Sequence, residues 1–441
     1  MAEIRFGTDG VRGRAFEELT LGLAYRIGRA AAVELVGDVA YLGRDTRQSG
    51  PALRDALAAG LIEGGVTPID LGIAPTPAVA WVAAQQSAIG VMISASHNPW
   101  HDNGIKLFTT AGSKLSNAEQ TAIERALDSS VGDTAPAKTP DIESMQPIVG
   151  EWVDSVSATA TSVLESGLRI VVDAANGAAS HVVGPALANL GLDVTVIANE
   201  PNGRNINANC GSTYPETLAA VVRDIEADLG LALDGDADRL LCVDATGRVI
   251  DGDHLMAILA ADMLAQGRLN DDTVVVTVMS NIGFHRAMQS QGIAVHVTPV
   301  GDRHILDALD INGWSFGGEQ SGHLIFGDLA HTGDGFLSGL QLIDVMARSG
   351  RSLAELADDA MTSFPQILRN VRVGERVSDP ATGIAAEIAA AEQELGADGR
   401  VLIRASGTEP VIRVMVEAAQ QSTADRICDQ LCQAVTDRFG H

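Results

Sequence analysis

Short runs of apolar residues recur along the chain, each followed by a polar or glycine-containing loop, a stretch with helical spacing, a glycine and a second apolar run. The first copy starts at residues 39–43, passes through a helical stretch near 53–63 and Gly64-Gly65, and returns at Ile69-Asp70-Leu71. The second runs from residues 168–173 through 182–190 and Gly191 to 194–197, and the third from 273–278 through 283–291 and Gly292 to 293–298. Short, fully apolar strands alternating with helices predict parallel pairing with helices on both faces. The glycine after each helix predicts a left-handed cap. Three such copies predict three related α/β domains.

The last quarter reads differently. Residues 368–373 predict a strand, 385–395 a helix, 400–404 and 410–418 a pair of strands, and 424–439 a final helix. The expected fold is therefore three related α/β domains with mixed, mainly parallel sheets, plus a smaller C-terminal α+β domain. Boundaries are expected to give domains at 1–150, 151–250, 251–364 and 365–441. The Pro- and Asp-rich stretch before residue 150, Asp251-Gly252-Asp253 and Phe364-Pro365 mark the breaks.

At 441 residues the chain is too long for one core, and 46% hydrophobic residues supply the interiors of several. Charge narrows the partners: 57 acidic against 30 basic residues leave a net charge of −27. Such a surface repels nucleic acid and anionic lipid, so neither is expected as a partner. An anionic small substrate needs a local cluster of cations. Lysine occurs only at Lys106, Lys114 and Lys138, leaving arginine, whose planar fork suits phosphate, to supply most positive charge. Cys210, Cys242, Cys428 and Cys432 are too few and too scattered for a disulfide framework. The opening residues lack the regions of a signal peptide and no apolar run approaches a membrane span, so the expected place is the cytoplasm.

Five motifs carry candidate chemistry. The apolar run at residues 89–93 stops abruptly at Ser94-Ala95-Ser96-His97-Asn98-Pro99, where a serine beside an imidazole is a candidate nucleophile or phosphate carrier. Asp102-Asn103-Gly104-Ile105-Lys106 follows it. Asp234-Gly235-Asp236-Ala237-Asp238-Arg239 sets three carboxylates at alternate positions after a strand, and these repel unless a cation joins them. Oxygen-only ligation suits Mg²⁺ or Ca²⁺. An EF-hand is excluded, because its sixth and twelfth positions hold Arg239 and Ala245. Gly317-Gly318-Glu319-Gln320-Ser321-Gly322-His323 spaces polar groups that suit the hydroxyls of a polyol. Arg404-Ala405-Ser406-Gly407-Thr408-Glu409-Pro410 offers a nest of backbone N–H groups, with Arg413 on the same face if the strand alternates. Phe6-Gly7-Thr8-Asp9-Gly10-Val11-Arg12-Gly13 places a further cation among glycines.

In this order, FGTDGVRG, ISASHNP with DNGIK, DGDADR, GEQSGH and RASGTEP resemble the α-D-phosphohexomutase family over essentially the whole chain. GEQSGH, with ANCGSTYPE at residues 208–216 and VGDR at 300–303, is similar to its glucosamine branch. The resemblance implies four domains around a central cleft. It implies that Ser96 carries the catalytic phosphate and that Asp234, Asp236 and Asp238 bind Mg²⁺ together with a phosphoserine oxygen. Arg239 would lie beside that site, and Arg303, Glu319, Ser321 and His323 would meet the sugar. Arg404, Ser406, Gly407, Thr408 and Arg413 would hold the non-reacting phosphate. Arg12, His97 and Lys106 are the candidates near the phosphoryl and proton transfers, with no single base assigned.

The implied reaction converts glucosamine 6-phosphate to glucosamine 1-phosphate through glucosamine 1,6-bisphosphate, an intermediate and activator, and feeds UDP-N-acetylglucosamine and peptidoglycan precursors. The alternative is a phosphomannomutase or phosphoglucomutase of the same fold; a non-catalytic phosphosugar-binding protein is a rival from another class. The expected partner is a small phosphosugar. Oligomeric state is left open, a homodimer included.

Overall fold

The computed structural model describes residues 10–129, 140–406 and 410–440. Two compact units are present, one running to Met279 and resuming over Ile293–Asp358, the other formed by Ser280–Gly292 and the chain from Asp359 onward.

The first unit contains three sheets. The first has the order Val11–Arg14, Asp102–Phe108, Ile89–Ile93, Val39–Arg44, Thr67–Ile73, Glu143–Ser144. Its pairs from Ile89–Ile93 through Glu143–Ser144 are parallel; the two at the other side are antiparallel. Strand alternation explains the cover on both faces. Leu42, Val91 and Ile93 share a core with Leu23, Ile27, Leu53 and Leu57 of helices Leu21–Glu34 and Gly50–Glu63. On the opposite face Gly43 and Gly90 lie close to Val79 and Ala83 of helix Thr76–Gln86.

The second sheet, Val249–Ile250, Leu240–Asp244, Leu229–Leu233, Arg169–Asp173, Asp193–Ile197, and the third, Ala294–Thr298, Thr273–Thr277, Phe316–Gly318, Leu324–Phe326, are likewise mixed. In all three repeats the expected strand pair is parallel. The left-handed turn after each helix falls on Gly65 (φ +91°), Gly191 (+83°) and Gly292 (+76°).

In the second unit, strands Gln366–Arg372, Val411–Ala418 and Gly399–Ala405 form an antiparallel sheet packed against helix Gln421–Phe439. Helix Ile282–Ser290, which the repeat pattern places in the third domain, groups with this unit. Ile282 N donates to Glu417 Oε2 (2.9 Å), Phe364 N to Asn281 Oδ1 (2.9 Å), and Arg286 pairs with Asp398 (2.9 Å). Short-range repetition does not register such bonds. Among the described residues no helix is long and apolar enough to cross a membrane.

Candidate active site

Three strands of the first unit deliver their carboxyl ends to one place, where α/β sheets present side chains to ligands. Ile89–Ile93 is buried at every position and releases the chain into the serine turn. There the two serines separate. Ser94 Oγ donates to Asp45 Oδ2 (2.6 Å) and accepts from Ser96 N (2.9 Å), so its hydroxyl is committed to internal bonds. Ser96 takes a left-handed conformation (φ +52°), and its Oγ donates to Asp234 Oδ2 at 2.5 Å. His97 Nδ1 is 3.4 Å from the same oxygen.

Strand Leu229–Leu233 ends at Asp234 and turns back into Leu240–Asp244, projecting the carboxylates of Asp234, Asp236 and Asp238 into a space where all three offer oxygens within 4.8 Å of one another. All three are essentially buried. Lys106 Nζ donates to Asp236 Oδ2 (2.8 Å) and Asp238 Oδ2 (2.9 Å), and Thr76 Oγ1 to Asp236 Oδ2 (2.6 Å). Oδ1 of Asp236 is buried without a hydrogen-bond donor, and Oδ1 of Asp238 has only the longer contacts of His323 and Arg239. Orphaned carboxylate oxygens are costly unless a cation meets them. An oxygen-only donor set of this kind fits a hard divalent cation. Gly235 is required by crowding, since a Cβ there would sit 2.5 Å from Ser96 O.

Electrostatics follow from burial and crowding. Burial and then repulsion from Asp238 and Asp236 push Asp234 well above the usual carboxylate range. Burial acts the same way on Asp238, yet Lys106, His323 and Arg239 outweigh it and hold that carboxyl well below its ordinary value. The His97 ring is lowered to about 4 by burial and then by the Arg239 and Arg12 guanidiniums. Those two cations therefore act on the serine turn.

The glycine-spaced loop lies between strands Phe316–Gly318 and Leu324–Phe326 and is anchored by Leu240 N to Gly322 O (2.9 Å) and Gly252 N to Gln320 O (3.0 Å). Glu319 is half-buried, Oε1 accepting from Gly301 N (3.2 Å), and Ser321 is exposed. His323, the last polar residue of the loop, is more buried than Glu319 and Ser321. Its ring is 2% exposed and faces inward, with Nδ1 3.7 Å from Asp238 and Nε2 3.4 Å from Asp302 and accepting from Gly333 N (3.2 Å). Two buried carboxylates draw the imidazole in, and burial's lowering of its pKa is outweighed so that the value is raised. Asp302 also pairs with Lys114. Arg303 is buried at the start of helix Asp302–Asn312, its Nε 4.0 Å from Asp307. Arg239 Nε is 3.9 Å from Asp238, and Arg12 stands on strand Val11–Arg14 opposite Gly104.

In the second unit Arg404 and Arg413 are direct cross-strand partners and so share one face of the sheet. Ser406 is buried, with its N–H on Val411 O (2.8 Å). Gly407 and Thr408 lie outside the described residues, as do Thr8 and Asp9 of the first motif.

Sequence reasoning missed Asp45, Arg47, Thr76 and Asn207. Arg47 Nε donates to Asp45 Oδ2 (2.8 Å), and its Nη atoms reach Ser96 O (2.9 Å), Asn98 O (3.0 Å) and Pro99 O (2.7 Å), with the side chain wholly buried. One signal was available: Arg44-Asp45-Thr46-Arg47 follows strand Val39–Arg44 at the same edge as the serine turn.

Family models match in four blocks along the chain. They are phosphoglucomutase/phosphomannomutase alpha/beta/alpha domain I over residues 3–131, domain II over 150–247, domain III over 251–364, and the C-terminal domain over 368–434. The chain is 48% identical over 438 residues to a phosphoglucosamine mutase of Saccharopolyspora erythraea, covering 98% of each. It is 48% identical over 446 residues to one of Corynebacterium glutamicum, covering 98% of this chain and 99% of the relative. Among solved structures, a phosphoglucomutase/phosphomannomutase family protein of Burkholderia thailandensis matches with TM-score 0.81 at 24% identity, over 98% of this chain and 97% of that one. An N-acetylphosphoglucosamine mutase of Aspergillus fumigatus, in complex with GlcNAc-6P and magnesium, matches with TM-score 0.70 at 20% identity, over 99% and 96%. Both structures share the fold.

Proposed function

The chain belongs to the phosphoglucomutase/phosphomannomutase family, and from that premise we propose that it is an isomerase interconverting α-D-glucosamine 6-phosphate and α-D-glucosamine 1-phosphate. The observation that carries the reading is the hydrogen bond from Ser96 Oγ to Asp234 in the three-aspartate loop, with Ser94 committed elsewhere. The names of the full-length relatives favour glucosamine over mannose or glucose.

In the first half-reaction the sugar O1 attacks the phosphorus carried on Ser96. The bond from phosphorus to Ser96 Oγ breaks, O1 gives up its proton, and glucosamine 1,6-bisphosphate forms. The bisphosphate then turns over, and Ser96 Oγ gives up its proton and attacks the phosphorus on O6. The bond from that phosphorus to O6 breaks, O6 takes up a proton, and glucosamine 1-phosphate leaves the rephosphorylated serine. Phosphoryl transfer of this kind is governed by alignment and by neutralising charge on the moving group. We assign this to Arg12 and Arg239, whose fields both act on His97, in an otherwise acidic protein. Lys106 keeps the aspartate loop together through Asp236 and Asp238, and Arg12, His97 and Lys106 are the groups nearest the proton transfers in our reading. A magnesium ion held by Asp234, Asp236, Asp238 and an oxygen of the serine phosphate would supply positive charge that makes Ser96 Oγ a better leaving group. Glu319, Ser321 and His323 are assigned to sugar hydroxyls, with Arg303 among the residues that meet the sugar. Arg404, Ser406, Gly407, Thr408 and Arg413 are assigned to the phosphate that does not react. We place the enzyme in the cytoplasm.

Intact mass with phosphopeptide mapping, beside steady-state turnover of glucosamine, glucose and mannose 6-phosphates, tests the proposal. Phosphate on Ser96, preference for glucosamine 6-phosphate and loss of both signals in Ser96→Ala are expected. Phosphate on Ser94, or preference for mannose or glucose, overturns it.

A further inference from the structure

One loop of the second repeat, residues 198–212, bonds to the serine turn of the first, and its residues 198–207 belong to none of the motifs. Gln48 N donates to Gly203 O (3.0 Å) and Arg204 Nε to Gln48 Oε1 (2.8 Å), while the Arg204 guanidinium stands 5.3 Å over the Trp100 ring. Between these anchors and the sheet, Asn207 Nδ2 donates to Ser96 O (2.9 Å) and to Asn98 O (3.0 Å). Arg47 Nη2 reaches the same two oxygens at 2.9 and 3.0 Å, so each carbonyl takes a bond from both side chains. Asn207 is itself fixed: its N–H bonds to Ala175 O (2.9 Å), and its φ of +57° is a conformation asparagine tolerates.

The carbonyls need holding for two reasons. Ser96 sits at φ +52°, a strained conformation for a non-glycine residue that surrounding bonds must outweigh. A phosphoryl group on Ser96 Oγ also brings negative charge beside the negative ends of the peptide dipoles in its own turn. Donors that keep Ser96 O and Asn98 O engaged oppose a peptide flip, which would swing Oγ away from Asp234. Arg47 comes from the same repeat as the serine; Asn207 reaches it from the next one, so it also ties the serine turn to the chain that bears the aspartate loop.

We infer that Asn207 is a positioning residue for phosphoryl transfer, holding Ser96 in its left-handed conformation through the carbonyls of Ser96 and Asn98. The inference rests on the proposed role of Ser96 as phosphate carrier. It assigns to the 198–212 loop a task in the transition state, separate from substrate binding.

Two replacements test it. Asn207→Asp keeps the shape but sets an acceptor against two acceptors. Asn207→Gly keeps the positive φ and removes the amide. Wild type and both variants are compared for kcat and KM with glucosamine 6-phosphate, and for the half-life of the serine phosphate without substrate. The half-life is read by intact mass as water attacks the phosphorus, its bond to Ser96 Oγ breaks, and inorganic phosphate and the serine hydroxyl are formed. A thermal midpoint verifies that each variant is folded. Expected are a fall in kcat of about tenfold or more with KM moving less than about threefold, since misplacing a reacting atom costs rate rather than ground-state binding. The half-life is expected to change by about threefold or more. A folded pair of variants with kcat and half-life within twofold of wild type overturns the Asn207 role while leaving Ser96 as carrier. Wild type without phosphate on Ser96 overturns both.

Discussion

Replacing Arg47 by methionine isolates what holds the serine turn in place. The Arg47 and Asp45 side chains are 0% exposed, and their ion pair is 2.8 Å long. The change removes the partner of a buried carboxylate and the donors to Ser96 O, Asn98 O and Pro99 O. Breaking a buried pair from one side costs about 3–5 kcal/mol, and each stranded carbonyl adds about 1–3 before relaxation. Two effects limit the total. Burial already pushes the Asp45 carboxyl up, with Arg47 opposing it, so without Arg47 that group takes a proton instead of remaining a bare charge. Asn207 also still reaches two of the three carbonyls. About 4 kcal/mol of local stability is therefore expected to be lost. In a chain with several domains one global unfolding free energy is ill-defined, so the assay is amide hydrogen exchange over Met92–Trp100. At 1.4 kcal/mol per tenfold, protection there should fall by a factor of about 10³. The double variant Asp45→Asn/Arg47→Met, which removes both charges, should recover a factor of about 10 or more. If Arg47→Met alone changes protection less than tenfold, or the double variant is worse than additive, the buried pair does not hold the turn.

Two further outcomes follow from other buried carboxylates. The Asp173 carboxyl, buried on strand Arg169–Asp173, is raised to about 6 by burial despite the N–H groups of Gly211 and Ala175. The native state thus binds the extra proton, and this stabilisation is full below about pH 4 and is lost as pH rises to 6, a swing of about 3 kcal/mol. A pH series of thermal midpoints should lose that slope in Asp173→Asn, and an unchanged slope refutes the assignment. Magnesium titrated into wild type should raise the thermal midpoint by mass action and Asp236→Asn should abolish the rise; equal rises in both would remove Asp236 from the cation site.

The layered architecture was legible because its signals are local. Fully apolar pentads such as Leu229–Leu233, and a glycine where each helix must reverse, require no partner to be recognised. The motif residues were legible for a related reason: three aspartates at alternate positions repel wherever they are placed, and a serine at a strand end is displayed by any parallel sheet. Arg47 gave a weaker signal, since an arginine after Asp45 reads as a solvated charge until the carbonyls of residues 96–99 are seen around it. Asn207 gave none; its partners are 109 and 111 positions away.

Between Ser94 and Ser96 the residues themselves offered no decision, and the family resemblance alone pointed to Ser96. The fold separates them physically: Asp45, brought up by a neighbouring parallel strand, takes the Ser94 hydroxyl, while the turn's left-handed residue presents Ser96 to Asp234. His323 shows the same dependence on space. Its spacing from Glu319 and Ser321 suggested a group for sugar hydroxyls, and only the fold shows that Asp238 and Asp302 lie beside its buried ring. By itself the sequence determined which elements form and which chemical groups stand at their ends, because strand period, helix spacing and charge repulsion act over a few residues. Only the tertiary structure decided which of those groups are spent on one another and which remain for a substrate, because hydrogen bonds and buried charges pair by distance in space, whatever their separation along the chain.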